Sequence, residues 1–201
     1  VPLAGEVRAR YPQVVLHLQE GISVFLNEQV RLGKIDCAVV SDLEPLSQVE
    51  SAPLLSEQLY LLGPPDAGLK ADRPVTLEAV STHSLILTSR PNSLRLIVEN
   101  ALAAQHLPLS IAIDGNSTAA MVDLVAKGLG YSVLPYCAAH EALAQGRLSC
   151  APVEGLRVSW TLIHSRERGL SPVGGHIRTL LQELIRTRVA GGGWRSAALA
   201  D

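Results

Sequence analysis

Apolar positions along the chain follow two periods in turn, which predicts alternating strands and helices. Residues 14–18 form a strand-like run, and from 22 to 32 the apolar residues recur at helical spacing until Gly33. Residues 37–40 are continuously apolar, which is typical of a strand buried on both faces of a parallel sheet. Strand, helix and strand in so short a stretch predict a βαβ unit.

A longer series of the same kind occupies the middle of the chain. It predicts helices that begin near Ser93, Thr118 and Cys137, between strands at 59–62, 84–88, 109–113, 131–134 and 148–152. A strand at 158–163 and a final amphipathic helix follow, with the apolar face Ile177, Leu180, Leu181, Leu184 and Ile185. No amphipathic pattern resumes after the glycines at 191–193, so we expect residues 191–201 to form a flexible tail.

This order of elements predicts an α/β fold with mostly parallel sheets. The middle stretch contains a complete βαβ series, whereas the segments before and after it are too short to fold alone. We therefore expect residues 1–58 and 157–190 to combine into lobe I and residues 59–156 to form lobe II. Two crossover strands, near 55–62 and 155–163, would join the lobes, and ligands commonly bind in the cleft of such an arrangement.

Composition narrows the classes of partner. Hydrophobic residues make up 47% of the chain, which is enough for a sizeable core, and a net charge of -2 gives no positive field to attract DNA or an anionic membrane. No apolar run approaches the roughly 20 residues that span a bilayer. The three cysteines are odd in number and widely spaced, so we interpret them as small buried hydrophobes in a reducing cytoplasm.

Four motifs, in order, resemble the effector-binding domain of LysR-type transcriptional regulators. They are Val7-Arg8-Ala9-Arg10-Tyr11-Pro12, Leu16-His17-Leu18-Gln19-Glu20-Gly21, Leu32-Gly33-Lys34-Ile35-Asp36-Cys37-Ala38-Val39, and the passage from Met121 to Pro135. The resemblance implies two Rossmann-like lobes joined by crossover strands, as in type 2 periplasmic binding proteins. It also implies a small-molecule effector between the lobes and a cytoplasmic location. Operator DNA would be bound only by an N-terminal helix-turn-helix domain that this sequence does not include, and the family's first regulatory strand is barely represented before Val1.

The resemblance further implies a homodimer through this domain and a tetramer for the full-length protein. In the family's antiparallel arrangement, the helix at 22–32 packs against the helix at 118–127 of the partner. The sequence offers some support, because Phe25, Leu32 and Leu124 are apolar residues beyond one core-facing stripe.

Catalytic chemistry finds little support in the sequence. None of the six histidines has a histidine or cysteine partner at metal-ligand spacing, and neither GxSxG nor CxxC occurs. Asp114, beside Gly115, has no recognisable second carboxylate. We therefore expect no enzyme activity, no catalytic residue, no metal and no cofactor.

Two turns that follow strands carry the binding chemistry. Residues 89–93 and 115–118 each lead into a helix whose free N–H groups and positive dipole end suit an anion. At the carboxyl ends of strands in an open α/β sheet, such turns face a crevice. The predicted effector site is Ser89, Asn92, Ser93, Asn116, Ser117 and Thr118, to which the resemblance adds Pro135 and Tyr136.

Two alternatives stay open for these residues. The first alternative to effector binding is that some of these side chains only cap their helices, namely those of Asn92, Ser93, Ser117 and Thr118. The second concerns charge: Arg90 and Arg95 either add charge to the site or are solvated surface arginines. The leading hypothesis is a regulatory domain that senses a small polar, anionic metabolite. The alternative is the solute-binding protein of a transporter with the same fold, and an enzyme on this scaffold is a third.

Overall fold

The computed structural model describes residues 2–41, 48–192, 194 and 196–200. The chain divides into unit 1, Val1–Leu55 with Ser159–Asp201, and unit 2, Ser56–Val158. In chain order the elements are α1 Pro2–Arg10, α2 Ser23–Arg31, β1 Cys37–Ser41, β2 Val49–Gly63, a 3-10 turn Pro65–Ala67, α3 Leu77–Ser81, β3 Ser84–Leu87, α4 Ser93–Ala104, β4 Ser110–Asp114, α5 Thr118–Ala126, β5 Ser132–Pro135, α6 Tyr136–Ala144, β6 Ser149–Ser165, α7 Pro172–Ala190 and β7 Ala197–Leu199. The mixture of helices and strands confirms the α/β class, and β2 and β6 each continue from one unit into the other.

Unit 1 packs helix α2 against strands β1 and β6. The buried residues on α2 include Leu26 and Val30, which lie four positions apart and so share the stripe that faces Val40 and Ile163. Strand β1 pairs antiparallel with β6, with Val39 opposite Leu162. Farther along β2 and β6, a second cluster of Leu54, Leu55, Leu162 and Ile185 joins these strands to α7.

Residues 14–18 are not a strand, and the prediction for them is wrong. No described strand pairs with this segment, and Val15 and Leu18 are 77% and 73% exposed. An apolar run becomes a strand only when a neighbouring strand satisfies its backbone N–H and C=O groups. The local apolar pattern could not show that this segment has no partner strand.

The tail also differs from the flexible segment expected for residues 191–201. Trp194 packs against the cluster of Leu54 and Ile185, and β7 pairs with β2, where the Ala200 N–H donates to the Leu54 carbonyl at 3.1 Å. A sheet edge and one large aromatic side chain can order a segment that has no amphipathic pattern. Positions 193, 195 and 201 of the expected tail lie outside the described residues.

Unit 2 contains the parallel part of the fold. Strand β3 pairs parallel with β4, and a parallel bridge from Leu85 to Tyr131 brings the start of β5 to the other side of β3. At Gly130, φ is +155°, and a Cβ there would lie 2.9 Å from the Ser84 carbonyl oxygen, so only glycine permits this approach. The expectation of mostly parallel sheets is wrong elsewhere, because β1 with β6 and β2 with β5 are antiparallel.

Candidate functional site

Three turns of unit 2 lie at one edge of its parallel strands. Since β3, β4 and β5 run in the same direction, their carboxyl ends point to the same edge. Each end leads directly into a helix: β3 into α4, β4 into α5 and β5 into α6. The eight predicted site residues lie in these connections, at the first residue of the helix that follows or, for Pro135, at the last residue of the strand.

The turns before α4 and α5 are hydrogen-bonded to each other. Leu87 and Asp114 are paired at the ends of their strands, and the Gly115 N–H donates to the Leu87 carbonyl at 3.1 Å. One step further, the Ser89 N–H donates to Oδ1 of Asn116 at 3.2 Å. The structure therefore brings Ser89 and Asn116 together, although 27 positions separate them in the sequence.

Capping accounts for two of the predicted site residues. Oδ1 of Asn92 accepts the Leu94 N–H at 3.0 Å, and Oγ of Ser117 accepts the Ala120 N–H at 3.3 Å. Thr118 is the first residue of α5 and not its cap, and none of the described residues hydrogen-bonds its half-buried hydroxyl. Ser93 is likewise the first residue of α4 and is half-buried. The described structure thus leaves the hydroxyl of Thr118 available to a ligand.

The third turn differs in character. Pro135 is buried, ends β5 and pairs with Leu59, and its side chain has no polar atom. Tyr136 is half-buried and packs edge to face on Tyr60, with ring centroids 5.5 Å apart. This turn offers an aromatic surface where the other two offer hydroxyl and amide groups.

A charged network lies at the start of α4. Nε of Arg95 donates to Glu99 at 2.5 Å, and Arg90 reaches the other Glu99 oxygen at 2.8 Å. Burial alone would raise the pKa of Glu99, but hydrogen bonds and charge from Arg95 and Arg90 outweigh it and hold that pKa below its usual value. Of the two arginines only Arg90 is at the surface, because Arg95 is only 7% exposed. Two guanidinium groups against one carboxylate leave the network with one net positive charge.

Thr88 is a residue that the sequence analysis missed. It directly follows β3 and is only 5% exposed, and its hydroxyl has no hydrogen-bond partner among the described residues. Its carbonyl accepts a bond from Nη1 of Arg95 at 3.2 Å, which ties it to the charged network. A buried hydroxyl without a partner is rare enough in proteins to call for an explanation. Its place one residue before Ser89 was visible in the sequence, but its burial was not.

The described part of the chain has neither a candidate metal site nor a candidate membrane-spanning helix. No group of three or more His, Cys, Asp or Glu side chains there could hold a metal ion. Likewise, no helix of the described residues is long and apolar enough to cross a membrane. The interpretation of the cysteines as buried holds only for Cys150, since Cys37 is half-buried and Cys137 is exposed.

Known proteins similar to this chain are regulators. The family described as the LysR substrate binding domain matches residues 1–187. The nitrogen assimilation regulatory protein nac of Escherichia coli K12 is 29% identical over 191 residues, which cover 94% of this chain and 62% of that protein. The chain therefore spans about three fifths of that relative's length, and further relatives are named HTH-type transcriptional regulators.

Solved structures show the same fold. The regulatory domain of CcmR from Synechocystis PCC6803, in complex with 2-PG, has a TM-score of 0.77 at 19% identity and covers 92% of this chain and 89% of its own. The effector binding domain of QuiR, in complex with shikimate, has a TM-score of 0.79 at 17% identity, with 92% and 90% covered. Likeness at this level of identity establishes a shared architecture.

Proposed function

The chain belongs to the LysR substrate binding domain family, and from this premise we propose that it senses a small polar, anionic metabolite for a DNA-binding transcription regulator. The relatives are regulators, which confirms that the chain is not an enzyme. They also favour a regulator over the alternative, a transporter's solute-binding protein. We place the effector at the turns before α4 and α5.

The observation that carries the proposal is the bonded pair of turns beside a surplus positive charge. The neutral side chains of Asn92 and Ser117 cap the helices α4 and α5, so the positive ends of both helix dipoles keep their charge. The Arg90–Glu99–Arg95 network adds one further positive charge at the start of α4. An anionic group is the ligand chemistry that such a site favours.

Hydroxyl groups supply the polar part of the proposed recognition. Thr118 and Thr88 each have a hydroxyl that no described residue bonds, and both adjoin the joined turns. Ser89, Asn92, Ser93, Asn116 and Ser117 complete the proposed contacts, with Pro135 and Tyr136 as an apolar wall. The ligand of the similar QuiR domain, shikimate, is a hydroxylated carboxylate and thus has the chemistry proposed here.

Thr118→Val tests this assignment. Native mass spectrometry of the purified chain would identify a retained metabolite, and calorimetry with that metabolite and with shikimate would measure affinity. A hydrogen bond to a charged group contributes roughly 1.5–3 kcal/mol, so we expect affinity to fall by about tenfold or more. The melting temperature should change little, because Ser117 and not Thr118 caps α5.

Thr187→Val is a matched control, since Thr187 is exposed on α7 in unit 1. It should leave affinity unchanged. Equal affinities for the parent chain, Thr118→Val and Asn92→Ala would mean that these residues serve only the helix ends and that the effector binds elsewhere.

The rest of the regulator is proposed from the family. A segment outside this chain, an N-terminal helix-turn-helix, would bind operator DNA in the cytoplasm. The full-length protein would be a tetramer, assembled from homodimers of this domain. Electrophoretic mobility shifts with the full-length protein, but not with this chain alone, are the expected result.

Exposed apolar residues on α2 support the proposed homodimer. Val24 and Phe25 on α2 are 49% and 45% exposed, and Leu32 at its C-cap is 41% exposed, so this surface lacks a partner among the described residues. On α5, Leu124 is half-buried and packs against the core of unit 2, so a charge there would also disturb folding. Phe25→Glu is the cleaner test, and sedimentation should show monomers where the parent chain forms dimers. A parent chain that is monomeric at high micromolar concentration would refute the arrangement.

A further inference from the structure

Helix α6 begins without a cap of its own. Its N-cap position is Pro135, whose side chain cannot accept a hydrogen bond, whereas Asn92 and Ser117 perform that role for α4 and α5. The first N–H groups of a helix have no partner within the helix and need one from elsewhere. The carboxylate of Glu57, on β2, supplies it: Oε1 accepts the Cys137 N–H at 3.3 Å.

The strand register explains how a residue 80 positions away reaches this helix. Strand β2 runs antiparallel to β5, with Leu59 opposite Pro135. Glu57 lies two residues before Leu59 on β2, and Cys137 is the second residue of α6, two residues after Pro135, so this pairing brings the two residues close together. Glu57 is completely buried there.

The thiol of Cys137 also contacts the carboxyl group of Glu57. Sγ lies 3.5 Å from Oε2 of Glu57 and is placed to donate to it. Loss of solvent around the thiol, followed by the negative charge and the hydrogen bond of Glu57, raises the pKa of Cys137 to about 12. Cys137 is exposed as a residue, yet its thiol is held in the unreactive protonated form.

We propose that Glu57 is an internal anion that caps α6 and thereby confines the effector's anionic group to the turns before α4 and α5. A buried carboxylate at the start of α6 offsets the positive end of that helix, which the neutral caps of the other two helices do not do. The turn of Pro135 and Tyr136 then offers the effector only neutral contacts. Glu57 is in this sense a positioning and selectivity residue, and the selectivity part rests on the proposed function.

Glu57→Gln tests the charge without emptying the position. The amide oxygen can still accept the Cys137 N–H, but the negative charge is gone. Alkylation of Cys137 by iodoacetamide, followed by peptide mass spectrometry across a pH series, should become faster, by about tenfold for each unit by which the pKa of the thiol falls. Cys37 in unit 1 is the internal reference and should react as before.

Glu141→Gln is the matched control, because Glu141 is an exposed acid on the same helix. It should leave the rate at Cys137 unchanged. An unchanged rate in Glu57→Gln, or an equal increase in both variants, would overturn the proposal.

Glu57→Ala tests the internal anion directly. The variant should bind acetate at the vacated position, so that acetate raises its melting temperature and slows alkylation of Cys137. The parent chain and Glu141→Ala should show neither effect at the same ionic strength. Failure of acetate to act selectively on a folded Glu57→Ala would contradict the proposal, and if that variant does not fold, the Glu57→Gln rates decide.

These results are separable from the test of effector binding. The thiol and acetate measurements need no effector, so they stand even if Thr118→Val leaves affinity unchanged. Conversely, an effector that binds at Thr118 while Cys137 is unaffected in Glu57→Gln would support the proposed function and refute the role of Glu57.

Discussion

The starts of α4 and α6 lie at the same edge of unit 2 and have opposite electrostatic surroundings. At α4 the cap is the neutral side chain of Asn92, and the charge nearby is a buried arginine, Arg95, held by Glu99. At α6 the cap is the buried carboxylate of Glu57. The same secondary structure, a strand leading into a helix, therefore gives two different sites. The start of α4 is suited to bind an anion, whereas the start of α6 already has the carboxyl group of Glu57.

The largest effect should come from breaking the charge pairing at α4. Glu99→Gln leaves the buried Arg95 without a counter-charge beside the positive end of a helix, and we expect a loss of about 3 kcal/mol in the free energy of unfolding. Arg90→Ala is the comparison, because Arg90 is 70% exposed in its side chain and should cost less than about 1 kcal/mol. Urea denaturation measures both, and similar losses would mean that burial of Arg95 has no energetic consequence.

The loss of unfolding free energy in Glu99→Gln should depend on pH. The pKa of Glu99 is held below its usual value, so its stabilisation is present above the unfolded pKa of about 4.3 and disappears as pH falls through the lower folded value. The gap between the parent chain and Glu99→Gln should therefore narrow as pH is lowered from about 6 to about 3. A gap that stays constant over this range would assign the loss to packing instead.

The smallest effects should come from the neutral caps. Asn92→Ala and Ser117→Ala each remove one accepted hydrogen bond at a helix start and should cost about 1 kcal/mol in urea denaturation. Thr118→Ala should cost less than about half of that, because the Thr118 hydroxyl caps nothing. If Thr118→Ala costs as much as Ser117→Ala, the assignment of the cap is wrong.

Sequence patterns were sufficient to predict that the two turns proposed to bind the effector converge. Parallel strands place their carboxyl ends together, so identifying β3 and β4 as strands was enough to predict that Ser89 and Asn116 are neighbours. The spacing of Arg95 and Glu99, four positions apart on one helix, also made their pairing foreseeable. What the spacing could not show was that Arg95 is buried.

The role of Glu57 could not be predicted, because it depends on the register between β2 and β5. The role of a glutamate in an apolar strand cannot be assigned until the neighbouring strand is known. For Glu57 that strand begins 75 positions later, at Ser132. The wrong prediction of a strand at residues 14–18 has the same cause. Strand pairing depends on two segments, and the apolar pattern describes only one of them.

The pairing of β7 with β2 has a consequence for colloidal behaviour. Among the described residues, β5 pairs with Leu59 to Leu62 of β2, so the stretch of β2 around Leu54 would present open N–H and C=O groups to another extended chain if β7 were not there. Exposed edges of this kind are templates for intermolecular sheets. Residues 197–200 therefore cover this edge of β2, and proteolytic cleavage before Trp194 would be expected to leave a folded domain that precipitates from concentrated solution.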